Sequence, residues 1–365
     1  MSVMRELSRK EKLEIMGEEI DRVITLGMRP RYNWGATPKL WRAAFEKFGR
    51  PLSLLAAEKL LEAVGPGDTV IFSTGWPIPP LFPEGEICGL AGVASLARAL
   101  TWACGSRALA VTEEANVGAI KAVAQGAMLR VWDYDLWKKL PTHNSFAVRS
   151  FPIDDEEAKA EAKWILDDTD AKAVITVEKN DVNHLGVHHT GEGGDMGPWT
   201  AKVEHLVNEA NARGILTIGI GDVGNEIGMA NIRETVQEVI VPFGKKCQCP
   251  CGGGIAGATM TDCVVIGTAT NKGAYGIEAA LAGITKNPDL IPSEELAWRM
   301  MHAAADYPVF DSMTVTNTYT EDGVPFRITL ALLEQLRWLV ECVDWTSPFY
   351  ERSRVDTGSV VEEWL

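Results

Sequence analysis

The chain has 365 residues, 46% of them hydrophobic and 23% charged, which suits a folded globular protein with a substantial core. Its formal net charge of −15 argues against non-specific binding to nucleic acid or to an anionic membrane surface. Seven cysteines, an odd number in a long chain, do not read as a secreted disulfide framework.

Residues 1–15 are charged and polar, with no apolar run ahead of a small-residue cleavage site, and the longest apolar runs are too short to span a bilayer. A cytoplasmic protein with a small-molecule partner is therefore expected, and self-association stays open. Apolar periodicity predicts a helix over residues 3–26, with Leu7, Leu13, Ile20 and Val23 among its apolar positions. A turn-rich stretch at 29–36 leads to helices at 38–48 and 52–64. Gly65-Pro66-Gly67-Asp68 then ends the helical region. Strand patterns follow at 69–73, 108–112, 128–132, 147–151, 173–177, 215–220 and 263–267. Helical patterns at 89–103, 115–124, 156–167, 200–212 and 232–241 separate most of them. Helices at 274–285, 294–305 and 326–340 come next, and the tail from Trp345 reads as irregular. This alternation predicts a three-layer α/β/α fold with a mostly parallel sheet. Residues 1–65 are expected to form a helical cap, and residues 66–365 the α/β domain.

In such sheets the chemistry sits in loops at the carboxyl ends of strands. The loop after 69–73 is rich in proline and glycine and carries Glu84 and Glu86. Both suit the start of the next helix, where negative charge is favoured, and Glu86 also suits a polar pocket. The loop after 173–177 holds Glu178, at the strand end, and His184, His188 and His189. Carboxylate and imidazole together can move protons or hold a metal. Each histidine singly also fits local packing. The third loop, Gly219-Ile220-Gly221-Asp222-Val223-Gly224-Asn225-Glu226-Ile227-Gly228-Met229, is the most informative. A helix starting near Val223 would bring Asp222 and Glu226 together in its first turn, a hard oxygen pair suited to Mg²⁺ or Mn²⁺. Capping of that helix by Asp222 is the plain alternative. A dinucleotide loop fits less well, because Asp222 would crowd a pyrophosphate. Thr270-Asn271-Lys272-Gly273-Ala274-Tyr275 places an amide, an amine and a phenol at another strand end. Cys247, Cys249 and Cys251 lie close enough to bind zinc, but no fourth ligand is evident, so ordinary buried or loop thiols are expected.

Together these loops resemble the D-glutamate cyclase-like C-terminal domain family, from about residue 51 to residue 339. The segment 219–229 is similar to its Gly-x-Gly-Asp-Gly-Gly-Asn-Glu-x-Gly-Met signature. Thr74-Gly75, Glu86 with Gly89, Glu178, the Asn271–Gly273–Tyr275 set and Asp322-Gly323-Val324-Pro325-Phe326 resemble further family segments. Cys88, Lys179, Val223 and Lys272 depart from the family pattern, which has Asp, Arg, Gly and Trp there. The family's animal members also carry a second, N-terminal domain. The resemblance implies closure of D-glutamate to 5-oxo-D-proline with loss of water, helped by a divalent cation, Mn²⁺ rather than Mg²⁺. It implies metal binding at Asp222 and Glu226, proton movement by Glu178 or His188, and substrate binding by Glu86, Asn225, Asn271, Lys272 and Tyr275. The departures leave two other expectations: hydrolysis or isomerisation of a cyclic acid or lactam at the same site, or a binding module without catalysis.

Overall fold

The computed structural model describes residues 7–29, 34–140, 142 and 144–344. The start of the first predicted helix and the tail from residue 345 lie outside them. Three helices come first: α1 (Arg9–Ile24), α2 (Thr37–Phe48) and α3 (Leu52–Ala63). The sheet strands are β1 (Thr69–Ser73), β2 (Arg107–Thr112), β3 (Arg130–Trp132), β4 (Ser145–Ser150), β5 (Ala173–Val177), β6 (Leu216–Gly221) and β7 (Cys263–Ile266). Between them run α4 (Leu90–Cys104), α5 (Val117–Gly126), α6 (Tyr134–Lys139), α7 (Asp155–Thr169), α8 (Glu204–Ala212) and α9 (Arg233–Val239). The chain closes with α10 (Thr270–Thr285), α11 (Glu294–Ala305), the hairpin β8 (Thr320–Glu321) and β9 (Val324–Pro325), and α12 (Phe326–Val343). The short α6 had no counterpart in the sequence reading, and α10 begins four residues before its expected start.

The seven strands are parallel, in the order β3-β4-β2-β1-β5-β6-β7. Strand side chains alternate between faces. Val70 and Phe72 enter the larger core, which α1, α3, α4, α5 and α10 cover, while Ile71 enters a smaller core under α6, α7 and α8. Burial on both faces explains why these strands read as unbroken apolar runs. The fold is thus the three-layer α/β/α arrangement.

Two features of this order place a ligand. The chain builds outward from β1 through β2, then returns to β5 on the other side of β1. The crevice beyond the carboxyl ends of β1 and β5 is the topological switch point, where open α/β sheets bind ligands. The N-terminal helices are also tied to this edge. Asp21 of α1 is fully buried and accepts from the backbone N–H groups of Leu52 (2.6 Å) and Ser53 (3.0 Å) and from Trp41 Nε1 (3.1 Å). It satisfies the open N-terminus of α3, which has no side-chain cap of its own. The N–H of Thr268, in the loop after β7, donates to the carbonyl of Ile24 at 2.8 Å. The end of α1 is thereby fixed beside the sheet edge, and Arg29 follows it into the crevice.

Candidate active site

A cavity of about 560 Å³ opens at the switch point, a size suited to a small ligand. Glu86 comes from the loop after β1, Glu178 from the end of β5, and Asn225 and Glu226 from the turn after β6. Arg29, Ser312 and Asp322 close the polar side. Trp76, Ile78, Phe82 and Met313 form an apolar wall, and Thr190, Gly191 and Glu192 complete the rim.

The turn after β6 is not the helix start expected at Val223. Glu226 folds back and accepts from the backbone N–H groups of Asp222 (3.3 Å), Val223 (3.0 Å) and Gly224 (2.7 Å). Those donors would otherwise be unpaired in a buried turn. Gly224 has φ +129°, closed to L side chains, so no helix can run through it. Gly219 is needed for close approach: a Cβ there would lie 2.3 Å from the carbonyl oxygen of Ile227. Helical structure resumes only at Met229–Ile232, as a 3₁₀ turn.

Asp222 does not face this nest. Arg29 reaches it with both terminal nitrogens, at 3.2 and 2.9 Å, and also contacts Asp322 at 2.5 Å. Arg29 was not singled out in the sequence; it lies more than 190 positions before its partner, after a turn with no periodic signal. Burial opposes its charge, but Asp222 and Asp322 outweigh that and keep it protonated. Glu178 accepts from the Thr270 hydroxyl at 2.6 Å, and Thr270 in turn lies 3.2 Å from Cys88 Sγ. Glu178 and Asp322 both adopt left-handed backbone, at φ 53°. For a non-glycine residue this costs about 1–3 kcal/mol and is concentrated at functional sites.

Four buried carboxyl groups (Glu86, Glu178, Glu226 and Asp322) line the cavity, while a fifth, Asp222, lies outside the lining and is paired with Arg29, which also holds Asp322. Burial raises Glu178 well above the ordinary carboxylate range, and Asp222 and Asp322 add to the rise. Burial and then Asp322 do the same for Glu86. Burial also pushes the Asp222 carboxyl up, with Arg29 pulling against it. Glu178, Asp222 and Glu226 can bring one oxygen each within 4.8 Å of one another. Such a surplus of hard oxygen donors in a buried cleft fits a divalent cation.

The chain matches the family described as D-glutamate cyclase-like, C-terminal, over residues 39–337. It belongs to that family. No curated protein matches the chain. Within this D-glutamate cyclase-like member, the remaining expected site residues sit outside the cavity lining. His188 is buried between Asn180 Oδ1 (2.9 Å) and Glu204 (3.2 Å). Asn271 lies in the first turn of α10 and accepts from the N–H groups of Gly89 (3.0 Å) and Gly92 (2.8 Å), while donating to Glu321 at 2.8 Å. It staples the start of α4 to α10 and the β8–β9 hairpin. Lys272 is fully buried, with Nζ 3.7 Å from Glu321, and Tyr275 is fully buried in the larger core. The early start of α10 takes Asn271 and Lys272 into the helix rather than the expected loop, and all three side chains are buried away from the cavity. Lys179 pairs with Glu113 beneath the site. Among the described residues no helix is long and apolar enough to cross a membrane.

Proposed function

We propose that the chain is a metal-assisted lyase of the cyclase type, acting on a small acidic amino acid, D-glutamate or a close variant, with release of water. The observation that carries the reading is the cavity at the switch point of a D-glutamate cyclase-like chain, lined by Glu86, Glu178, Glu226, Asp322 and Arg29, with Asp222 held by Arg29 beside it. In this reaction the amine nitrogen attacks the side-chain carboxyl carbon, a C–N bond forms, a C–O bond breaks and the oxygen leaves as water. A carboxylate is a poor electrophile, and a divalent cation, Mn²⁺ ahead of Mg²⁺, would supply Lewis acidity to it. Asp222 and Glu226 are the residues that would hold the cation, with the Glu178 carboxyl beside them.

The chain's own groups cover the rest. Glu86, held toward the protonated form, can give a proton to the departing oxygen, and Glu178, once ionised, can take one from the amine, its raised pKa bringing it closer to neutral pH as a base. The acidic lining suits an ammonium group, and Arg29 can share its charge with a substrate carboxylate. Trp76, Phe82 and Met313 give the cavity an apolar wall that would limit water beside a bound substrate. A cytoplasmic setting belongs to the same reading, since seven thiols stay unpaired there. The test is a panel of D- and L-amino acids and their lactams followed by NMR, with Asp222→Ala as control. Water-releasing cyclisation of one acidic amino acid, lost in Asp222→Ala, supports the reading. Turnover that survives the substitution unaltered, or turnover of lactams alone, overturns it.

A further inference from the structure

The thiol cluster expected to lack a fourth ligand has one. His189 Nε2, fully buried, lies 3.2 Å from Cys249 Sγ and 3.4 Å from Cys251 Sγ. Cys247 Sγ lies 3.5 Å from Cys249 Sγ and 3.3 Å from Cys251 Sγ, and all four ligand atoms fall within 4.8 Å of one another. None of these cysteines is in a disulfide, whose sulfurs would be about 2 Å apart. Zinc–sulfur bonds of about 2.3 Å and zinc–nitrogen bonds of about 2.0 Å set tetrahedral edges of roughly 3.8 and 3.6 Å. The observed edges lie within a few tenths of an ångström of that figure. Three sulfurs and one imidazole make a soft donor set that selects zinc over the hard cations suited to the carboxylate cavity.

The surroundings are built for it. Cys251 Sγ accepts from the Gly253 N–H (3.4 Å) and from Asn183 Nδ2 (3.5 Å), outer contacts that orient the sulfur. The Gly193 carbonyl accepts from the N–H groups of Gln248 (2.9 Å) and Cys249 (3.2 Å), so the two loops meet backbone to backbone. The His189 carbonyl, meanwhile, accepts from Asn225 Nδ2 at 2.8 Å and Asn180 Nδ2 at 2.6 Å. Thr190, Gly191 and Glu192, which follow His189 directly, form the cavity rim.

We propose that His189, Cys247, Cys249 and Cys251 bind one zinc ion in a closed tetrahedral site, which fixes the loop after β5 to the segment between α9 and β7 and so holds one rim of the cavity. Binding releases the thiol protons and needs no oxidant. The site stands whether or not the cavity cyclises D-glutamate.

The full chain, purified without chelator under reducing conditions, is analysed for metal and then reconstituted with Co²⁺. About one zinc per chain is expected, falling below about a tenth in Cys247→Ser, Cys249→Ser and His189→Ala, while Cys342→Ser, an exposed cysteine outside the cluster, keeps it. The cobalt form of the unmodified chain should show a sulfur-to-cobalt charge-transfer band and intense tetrahedral ligand-field bands, a readout that requires no variant to fold. Failure to take up zinc or cobalt while all thiols titrate freely overturns the site. So does zinc that persists in the triple cysteine-to-serine chain.

Discussion

Glu178 and His189 stand in the same loop after β5, yet they serve clusters of opposite character. The carboxylate cluster is hard, holds more carboxyl groups than cationic ones, and is open to a cavity of about 560 Å³. Its oxygens are already partly used, by Arg29, by Thr270 and by the backbone of the turn after β6. The thiol cluster is soft, supplies four donors, and leaves no position for a substrate. A closed four-ligand site stabilises structure, whereas catalysis needs room for a reacting group beside the metal. The difference assigns chemistry to the first cluster and support to the second.

That contrast can be broken at several points. The largest effect should come from Glu178→Gln, which keeps the shape but removes a proton carrier; kcat should fall about a hundredfold or more while the zinc content stays constant. A loss of zinc in that variant would show that the two clusters are not separate. Lys272→Met comes next. It removes the cation 3.7 Å from buried Glu321, which keeps only its neutral donors Asn271 and Thr329, so denaturant unfolding should show a loss of about 3 kcal/mol, with KM in the surviving folded enzyme unchanged. A selective rise in KM would return Lys272 to the substrate site. Gly219→Ala forces a Cβ to 2.3 Å from the Ile227 carbonyl oxygen, and about 2–4 kcal/mol of stability should go with it. Equal stability would mean that the turn has slack and does not pin Asp222.

The smallest effect concerns a carboxyl remote from both clusters. Glu278 of α10 is fully buried, with Oε2 accepting from Ser95 at 2.9 Å and Oε1 unpartnered. Burial pushes its pKa well above the ordinary value, only partly offset by Ser95. In the unfolded chain it ionises near 4.5, so above that pH the unfolded state holds fewer protons and stability falls as pH rises. Glu278→Gln should match the parent at pH near 4 and exceed it at pH near 8 in denaturant melts. Parallel pH profiles for the two proteins would refute that assignment.

Much of the scaffold was legible because a parallel sheet sealed on both faces leaves apolar runs such as Val70-Ile71-Phe72 and Val264-Val265-Ile266. The loops carrying Glu86, Glu178 and Glu226 were legible for a related reason, since each directly follows such a run. What failed to show was long-range. Arg29 reaches the site through the packing of α1, which no local pattern encodes. His189 meets its thiols only because two irregular loops cross, so the spacing of the cysteines alone left a ligand missing. Asn271 and Lys272 read as a strand-end loop ahead of the helix expected at 274–285, because Gly273 interrupts the helical pattern. In the fold that glycine lies in α10 close against Ile220 of β6, where a Cβ would come within 2.5 Å of Ile220 Cγ2.

The most direct test follows 5-oxo-D-proline formation from D-glutamate by NMR in protein whose thiol-bound zinc is retained, as verified by metal analysis, while hard cations are removed by a brief chelator wash. The account predicts no turnover in that state and recovery on adding Mn²⁺. Undiminished turnover without a hard cation, or none after Mn²⁺ is restored, would contradict it.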